Sequence, residues 1–312
     1  MSGALKKHDR IIRQGMCLLG KWHQNSYAIK GKLGAGAIGT VYLCESRGKH
    51  YALKVSDQNS AMTMEVNVLK SLEKVQDQQL GPYLLDVDDW ECPSGDTYTF
   101  YVMEYVQGEK LERFIRTNGT EWIGVFLLQL LGDLDKLHKA GWMFGDLKLD
   151  NLLIAKAPAR LRWIDVGGVT QLGRSIKEYT EFNDRGYWGL GTRKAEPSYD
   201  LFAVVMVFLN LFYPKRFPKG QDNERLICSK IDLVKVFAPY RHCFKKAIQG
   251  KYRSSEDMRK EVAASLQKQR SRKSRRAQDS HRQKSGSPML LAEGGGILLV
   301  AAGYYALSLL LP

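Results

Sequence analysis

One short segment constrains this chain more than any other, because four of its six residues are polar. Residues 146–151 read DLKLDN, and Asp165 follows in the run DVG. Phosphoryl transfer depends on an oriented hydroxyl, a metal ion on the phosphates and positive charge at the transferring group. We therefore expect a fold that brings the segment and Asp165 together in one cleft.

Three polar residues of this segment, together with Asp165, have predicted roles. Asp146 would accept the proton of the attacking hydroxyl, and Lys148 would lie on the γ-phosphate. Asn151 and Asp165 would hold Mg²⁺ through oxygen atoms, the ligands that this ion prefers. The prediction is therefore a site for ATP and Mg²⁺ in which Asp146 and Lys148 are catalytic.

A glycine-rich run precedes this segment. Residues 34–41 read GAGAIGTV and match G-x-G-x-x-G-x-V in full. The run lies between two predicted strands, whereas a dinucleotide fingerprint opens a helix. Gly34, Gly36, Gly39 and Val41 are accordingly predicted to contact a nucleotide.

Further nucleotide contacts are predicted downstream. Lys54, at the end of the run YALK, would pair with the α- and β-phosphates. Glu65 is the best candidate to orient Lys54 by an ion pair, and Glu73 is the alternative. The later run YVMEYVQG is typical of a hinge between lobes. Backbone groups of Glu104 and Val106 in that run would bind an adenine.

The hydrophobic pattern changes from strands to helices along the chain. Short β-branched or aromatic runs predict antiparallel strands at 27–32, 41–44, 51–55 and 97–104. Apolar spacing predicts helices at 62–73, 122–138, 200–213 and 255–269, the last opened by a capping box at Ser254 and Asp257. We expect an α+β chain with a small antiparallel sheet lobe and a larger helical lobe.

Together these motifs resemble the eukaryotic-like (Hanks-type) protein kinases, over roughly residues 27–269. The resemblance implies a two-lobed protein-kinase-like fold, ATP with Mg²⁺, and transfer of the γ-phosphate to Ser/Thr hydroxyls of proteins, including autophosphorylation. It also implies the family's roles for the matching residues named above. The chain is most similar to small bacterial sporulation kinases with a tail anchor and no extracellular sensor.

One departure from the family concerns control. Gly145 precedes Asp146, where the family has an arginine that binds a phosphorylated activation loop. Our hypothesis is that activity is not switched mainly by phosphate docking beside Asp146. Four hydroxyl side chains stay candidates for autophosphorylation: Thr170, Ser175, Thr180 and Thr192.

A second departure lies at the end of the activation segment. Residues 195–197 read AEP, where the family has A-P-E. Asp200 follows and would be the buried aspartate that anchors the backbone of the catalytic loop. The partner of Glu196 is left open between Lys251 and Arg253.

Two other functions are weighed against a protein kinase. The run FGD that ends at Asp146 also resembles the H-G-D of small-molecule or lipid-linked kinases of the aminoglycoside phosphotransferase kind. Lys148, Gly167 and the full glycine run favour a protein substrate. A non-catalytic ATP-binding scaffold is the third possibility, and the complete set of charged groups argues against it.

The net charge of +14 is unevenly distributed. Residues 259–284 hold ten Lys/Arg against two acidic residues. Such a run binds anionic lipid or, without sequence preference, DNA. We predict a polyanion partner for its central cluster, which comprises Arg270, Arg272, Lys273, Arg275 and Arg276.

An uncharged stretch follows this basic run. Residues 294–311 carry no charge over a helical length of about 27 Å, near the lower limit for a bilayer span. We predict a C-terminal transmembrane helix in the cell membrane, with the kinase domain cytoplasmic and the C-terminus outside. A buried core helix is the alternative. Ala302 and Ala306 would allow the tails to self-associate.

These features divide the chain into five predicted segments. They are a basic leader (1–22), an N-lobe (23–106), a C-lobe (107–269), a basic juxtamembrane linker (270–287) and a transmembrane tail anchor (288–312).

Overall fold

A six-stranded antiparallel sheet forms the small lobe. In the computed structural model, which describes residues 11–36, 38–73, 80–156 and 158–283, the strand order is β1-β2-β3-β4-β6-β5. The strands are β1 (Cys17–Leu19), β2 (Ser26–Ala35), β3 (Thr40–Ser46), β4 (Lys49–Ser56), β5 (Leu84–Glu91) and β6 (Thr97–Glu104). The one helix of this lobe in the described residues is α1 (Asn59–Glu73), which contacts β5 and β6.

The segment before β2 joins the two edges of this sheet. Strand β1 pairs with β2 at one edge. The residues that follow reach β5 at the other edge, where Lys21 N donates to Asp89 O at 2.8 Å. Trp22 N and His23 N donate to the Asp88 carboxylate at 2.9 and 2.8 Å. The sheet therefore closes on itself through this segment.

The same segment contributes to the core of the small lobe. Ile12 and Leu18 are buried and pack in one cluster with Tyr27 and Phe100. The small lobe thus begins before residue 23, the boundary predicted from the sequence. The basic charge of the predicted leader concealed these two apolar positions.

Helices dominate the large lobe. They are α2 (Leu111–Asn118), α3 (Trp122–Lys139), α4 (Pro197–Phe212), α5 (Asn223–Leu233), α6 (Arg241–Ile248) and α7 (Ser255–Gln283). Five short strands lie between the helices: β7 (Glu109–Lys110), β8 (Trp142–Met143), β9 (Leu152–Ala155), β10 (Arg160–Trp163) and β11 (Thr170–Gln171). Strands β10, β9 and β7 form one sheet, and β11 pairs with β8. The buried helix predicted at 200–213 is confirmed, since α4 is buried from Tyr199 to Leu209.

Helix α7 is longer than the sequence predicted. Its capping contact is present, because Asp257 N donates to Ser254 Oγ at 3.1 Å. The helix continues to Gln283 and so includes residues 270–283, where the sequence predicts a linker. Arg, Lys and Gln are good helix formers, and this stretch contains no Gly or Pro to end the helix. Its basic composition was therefore a poor guide to its backbone.

Two predictions about the C-terminus cannot be compared with the structure. No helix in the part of the chain that the structure describes is long and apolar enough to cross a membrane. The predicted tail anchor, with Ala302 and Ala306, lies outside the described residues, as do the side chains of Arg270 and of residues 272–283.

Candidate active site

A carboxylate of α4 fixes the catalytic loop from inside the large lobe. Asp200 is fully buried and accepts hydrogen bonds from Phe144 N at 2.7 Å and Gly145 N at 3.0 Å. His138 Nε2 lies 2.9 Å from the same carboxylate. The Phe144 ring packs edge-on against Trp163, with centroids 4.9 Å apart. The predicted anchoring by Asp200 is therefore confirmed.

The start of the activation segment packs directly on this loop. Gly145 has φ +78°, and a Cβ at this position would overlap the carbonyl oxygen of Gly168. A Cβ on Gly168 would in turn lie 2.8 Å from Asp146 N and 2.7 Å from Asp146 Cβ. Such distances are too short for real atoms. The two glycines therefore allow the backbone of the activation segment to pack against the backbone of the catalytic loop, at the position where the family has an arginine.

Both carboxylate oxygens of Asp146 have partners. Thr180 Oγ1 donates to Oδ1 at 2.8 Å, and Lys148 Nζ bonds Oδ2. Asn151 Nδ2 donates to the backbone carbonyl of Asp146 at 3.1 Å. Sequence reasoning proposed Thr180 only as an autophosphorylation site and missed this contact. The carboxylate is thus held in one orientation beside a cation.

The two predicted metal ligands are brought together by the end of β10. Ile164 N, one residue before Asp165, donates to Asn151 O at 3.1 Å. Asp165 Oδ1 accepts a hydrogen bond from Gly167 N at 3.0 Å. Asn151 uses its amide nitrogen toward Asp146, so its amide oxygen is the atom left for a metal. A carboxylate and an amide oxygen are hard donors that fit Mg²⁺.

Lys54 is oriented by a carboxylate of α1. Its Nζ lies 2.7 Å from Glu65 Oε1, and both side chains are buried. Tyr101 donates to the other Glu65 oxygen at 2.8 Å, and burial raises the pKa of Tyr101 well above its ordinary value. The alternative residue, Glu73, instead accepts a hydrogen bond from Leu84 N at 2.9 Å. The structure therefore favours Glu65, and sequence reasoning missed Tyr101.

The glycine run separates into two kinds of position. A Cβ on Gly39 would lie 2.5 Å from Val55 O, so Gly39 allows the turn to approach β4. A Cβ on Gly34 or Gly36 would meet nothing within 4 Å, which leaves open space beside the run. Val41 pairs with Lys54 across β3 and β4. The run thus has free space beside Gly34 and Gly36 and pairs with the strand that carries Lys54, and its contact with a nucleotide stays a prediction.

The hinge is tied to the large lobe by an ion pair. Arg162 Nη2 donates to Glu104 Oε2 at 2.7 Å, and Nη1 donates to Oε1 at 3.2 Å. Arg162 also donates to Gly81 O at 3.2 Å. Val106 is buried two residues further along. The Glu104 side chain is therefore used for structure, and only backbone groups of the hinge stay candidates for adenine binding.

The partner of Glu196 differs from both residues that the sequence suggested. Arg185 Nη2 donates to Glu196 Oε1 at 2.6 Å, so Lys251 and Arg253 were wrong. This hydrogen bond lowers the pKa of Glu196 below its ordinary value. The sequence placed the partner of Glu196 near residue 250, whereas the shortened activation segment itself supplies the partner, Arg185.

The same segment contains a second internal ion pair. Asp184 is fully buried and accepts from Arg193 Nε at 2.8 Å and from the Tyr199 hydroxyl at 3.0 Å. Arg185 also donates to Thr192 O at 2.8 Å and to Ser198 Oγ at 2.6 Å. The end of the activation segment is thus held by its own side chains.

Comparison with known proteins agrees with the fold. Residues 27–281 match the protein kinase domain family. The chain therefore belongs to the protein kinase family, as the motifs indicated.

Among curated relatives, the chain is 47% identical over 274 residues to serine/threonine-protein kinase YabT of Bacillus subtilis. The aligned region covers 88% of this chain and 81% of that protein. It is 28% identical to sporulation protein kinase mde3 of Schizosaccharomyces pombe, over 65% of this chain and 40% of that protein. It is also 28% identical to the RAC serine/threonine-protein kinase of Drosophila melanogaster, over 62% and 36%. This protein is a serine/threonine protein kinase.

Proposed function

We propose that Asp146 is the base of this kinase and that Lys148 neutralises the transferring phosphoryl group. The observation that carries the proposal is the pair of contacts on the Asp146 carboxylate, from Thr180 and Lys148. A carboxylate oxygen can accept more than one hydrogen bond, so a substrate hydroxyl can still donate to Asp146. Deprotonation of that hydroxyl then follows without reorientation of the base.

The nucleotide would lie between the glycine run and the metal ligands. ATP with Mg²⁺ supplies the phosphoryl group, and the metal balances its developing charge. Lys54, held by Glu65, presents a fixed cation toward the phosphates. Asn151 and Asp165 present the two oxygen ligands.

The experiment is phosphate transfer from labelled ATP·Mg²⁺ to a generic protein by the full-length chain, followed by identification of the labelled side chains. Label on Ser and Thr is expected. Asp146→Ala should lower the rate about 10²–10⁴-fold, the usual contribution of a general base. Lys54→Ala should do the same, and the exposed Lys49 of the same strand offers the matched control Lys49→Ala.

Three outcomes separate the alternatives. Label in a small molecule but not in protein would indicate a small-molecule or lipid-linked kinase. ATP binding without any transfer would indicate a scaffold. An Asp146→Ala variant as fast as the parent protein would contradict the proposed base.

We further propose that activation does not require a phosphate docked beside Asp146. Two contacts support this proposal: the packing of Gly168 on Gly145, and the Arg185–Glu196 ion pair. The packing of Gly168 on Gly145 occupies the place of a phosphate-binding arginine. The Arg185–Glu196 ion pair holds the end of the activation segment without a phosphate.

We also propose that residues 288–312 anchor this kinase in the cell membrane, with its catalytic body cytoplasmic and its C-terminus outside. The uncharged run 294–311 and the basic run before it support this topology. A C-terminal epitope tag should become accessible to antibody on intact protoplasts, whereas an N-terminal tag should not. Protection of both tags, with the protein in the soluble fraction, would contradict the anchor. A role in sporulation stays an expectation from the sequence.

The basic run is proposed to bind a polyanion and to concentrate kinase molecules on one surface. Its charge supports this, with ten Lys/Arg in residues 259–284. DNA binding of this kind weakens steeply with salt, since it releases counterions. Activity should rise with DNA or anionic liposomes and lose that stimulation when Arg270, Arg272, Lys273, Arg275 and Arg276 are changed to Gln. Equal activity with and without both polyanions would contradict the proposal.

A further inference from the structure

Several exposed cations that form no ion pair within the described ranges lie near the catalytic loop, on the side of the activation segment. Residues 173–176 and 193–195 form a hairpin, in which Gly173 N donates to Ala195 O and Ile176 N donates to Arg193 O, both at 2.8 Å. Exposed Arg174 and Lys194 therefore lie on the two paired segments of this hairpin. Lys177 extends the same exposed edge.

This hairpin is seated against the catalytic loop. Ile176 is buried in a cluster with Met143, Ala195 and Tyr199, and Met143 immediately precedes the residues of the loop. Three residues after Lys177, the Thr180 hydroxyl bonds Asp146. The hairpin therefore lies beside the residue that donates to Asp146, and its cations are near a protein segment bound there.

A second group of cations comes from the connection between α4 and α5. The Phe217 ring packs edge-on against Phe182, with centroids 5.1 Å apart, which docks this connection on the activation segment. Arg216 lies over the Phe182 ring at 5.6 Å, and Lys219 lies over Tyr187 at 3.9 Å. Lys215 is exposed beside them.

We call these six residues the cationic face: Arg174, Lys177, Lys194, Lys215, Arg216 and Lys219. Within the described ranges of the chain, none of them forms an ion pair with a carboxylate, whereas Arg185 and Arg193 in the same segment do. Residues 170–196 contain four acidic residues, and two of them, Asp184 and Glu196, are used by those two arginines. The cationic face therefore keeps a net positive charge.

The acidic residues on the other side of the catalytic loop are already paired. Asp150, next to Asn151, lies 3.5 Å from Lys110. Glu109, on β7, lies 3.2 Å from Lys156 and 3.8 Å from Arg113. A basic substrate side chain would have to displace these partners, so this side offers it little.

We propose that this kinase selects protein segments that carry carboxylates beside the acceptor Ser or Thr, through the cationic face. The proposal rests on the proposed function of Asp146 and names its substrate class. Unpaired exposed cations raise the local concentration of anionic segments and their association rate. Complementary charge at a rim sets specificity more than total affinity.

The test compares three peptides of equal length that share one acceptor serine and differ only in flanking residues, which are Glu, Gln or Lys. The enzyme is the full-length protein in detergent, assayed with ATP·Mg²⁺. We expect kcat/KM for the Glu peptide to exceed that for the Gln peptide about tenfold, as several exposed charge pairs would give. The Lys peptide should be slowest, and added salt should shrink the differences.

Charge reversal then assigns the effect to the cationic face. Lys177→Glu with Lys194→Glu should lower kcat/KM for the Glu peptide and leave the Gln peptide unchanged. The matched control reverses two exposed lysines of the large lobe far from the hairpin in sequence, Lys235→Glu with Lys251→Glu, and should change neither.

Several results would overturn the proposal. Equal kcat/KM for the three peptides, or preference for the Lys peptide, would contradict it while the proposed catalysis stands. A uniform loss for all peptides in the Lys177 and Lys194 variant would show a structural role only. Inhibition by duplex DNA that disappears in this variant, without peptide preference, would assign the face to nucleic acid. Loss of transfer to every peptide and to generic protein would contradict the proposed function as well.

Discussion

Gly145 shows how one residue changes the way a catalytic loop is held. Its backbone has φ +78°, and its missing side chain admits the carbonyl of Gly168. An arginine here would fill that space and would respond to phosphate, whereas backbone packing responds only to steric fit. The sequence revealed the substitution, but only the structure shows what occupies the vacated position.

Gly168→Ala tests this packing at a single atom. The new Cβ would lie 2.7 Å from Asp146 Cβ, and overpacking of this kind costs about 1–3 kcal/mol. We expect kcat to fall roughly tenfold or more, because Asp146 is displaced, with a smaller change in KM. Gly31→Ala is the control, since a Cβ on Gly31 would meet nothing within 4 Å and Gly31 does not have a positive φ. Equal kcat values for Gly168→Ala and the parent protein would contradict the packing argument.

Arg185 permits a second test at the residue scale. Its guanidinium donates to Glu196, Ser198 and the Thr192 carbonyl, and its side chain is 7% exposed. Arg185→Met removes these donors and leaves the Glu196 carboxylate with the Ser198 hydroxyl but without a cation. We expect faster limited proteolysis within residues 184–196 and a lower melting temperature. An unchanged cleavage pattern would show that the ion pair does not hold the segment.

At the scale of elements, the segment before β2 closes the sheet of the small lobe. His23 Nδ1 lies 2.6 Å from Asp86 Oδ1, and Asp86 also accepts from the Tyr27 hydroxyl at 2.6 Å and from Asn25 at 3.0 Å. The hydrogen bond and charge of Asp86 raise the pKa of His23 above 6.5. Burial alone would raise the pKa of Asp86, but hydrogen bonds from Tyr27, Asn25 and His23 bring it below 3.8.

These shifts predict how this closure depends on pH. The raised pKa of His23 means that its contribution is complete below pH 6.5 and is lost as pH rises through the folded-state value. The lowered pKa of Asp86 means that its contribution is present above pH 3.8 and is lost as pH falls through its folded-state value. Differential scanning fluorimetry should therefore show a melting temperature that declines as pH rises above 6.5. His23→Gln should remove this decline, and a decline of equal size in that variant would assign it elsewhere.

Sequence periodicity predicted the elements unequally. The four predicted strands and the buried α4 carry apolar or alternating patterns, and the structure contains all of them. Strand β5 was missed because acidic residues occupy its buried positions 86 and 88 while Leu85 is exposed, which reverses the usual alternation in LLDVDDWE. Strand β1 was missed because it is short and lies in a basic stretch.

At the scale of the whole molecule, the site was predictable because motif order encodes it. Lys54, Asp146 and Asp165 are far apart in the chain, and the structure places all three close enough to Glu178 to affect its pKa. Contacts from shortened or divergent segments were not predictable, and Thr180, Arg185 and Arg162 all belong to this group. Their partners depend on the path of the backbone, which no local pattern records.

The charge of the molecule is also organised at this scale. Internal ion pairs use the arginines that hold the activation segment, and the cationic face keeps its charge for other partners. The basic run 259–284 adds a further positive region at the end of α7. Added salt should therefore weaken the binding of acidic substrates and of polyanions, because it screens the charges on which both kinds of binding depend.

The central claim is that Asp146 is held ready by contacts within the chain and not by a phosphate. The most direct test is the initial rate of transfer to a generic protein by the full-length variant Thr170→Ala, Ser175→Ala and Thr192→Ala after phosphatase treatment. Thr180 is kept because it bonds Asp146. The rate should stay within about twofold of the parent protein, the range of a neutral surface change. A fall to the level of Lys54→Ala, with full activity restored only in the phosphorylated parent protein, would contradict the account.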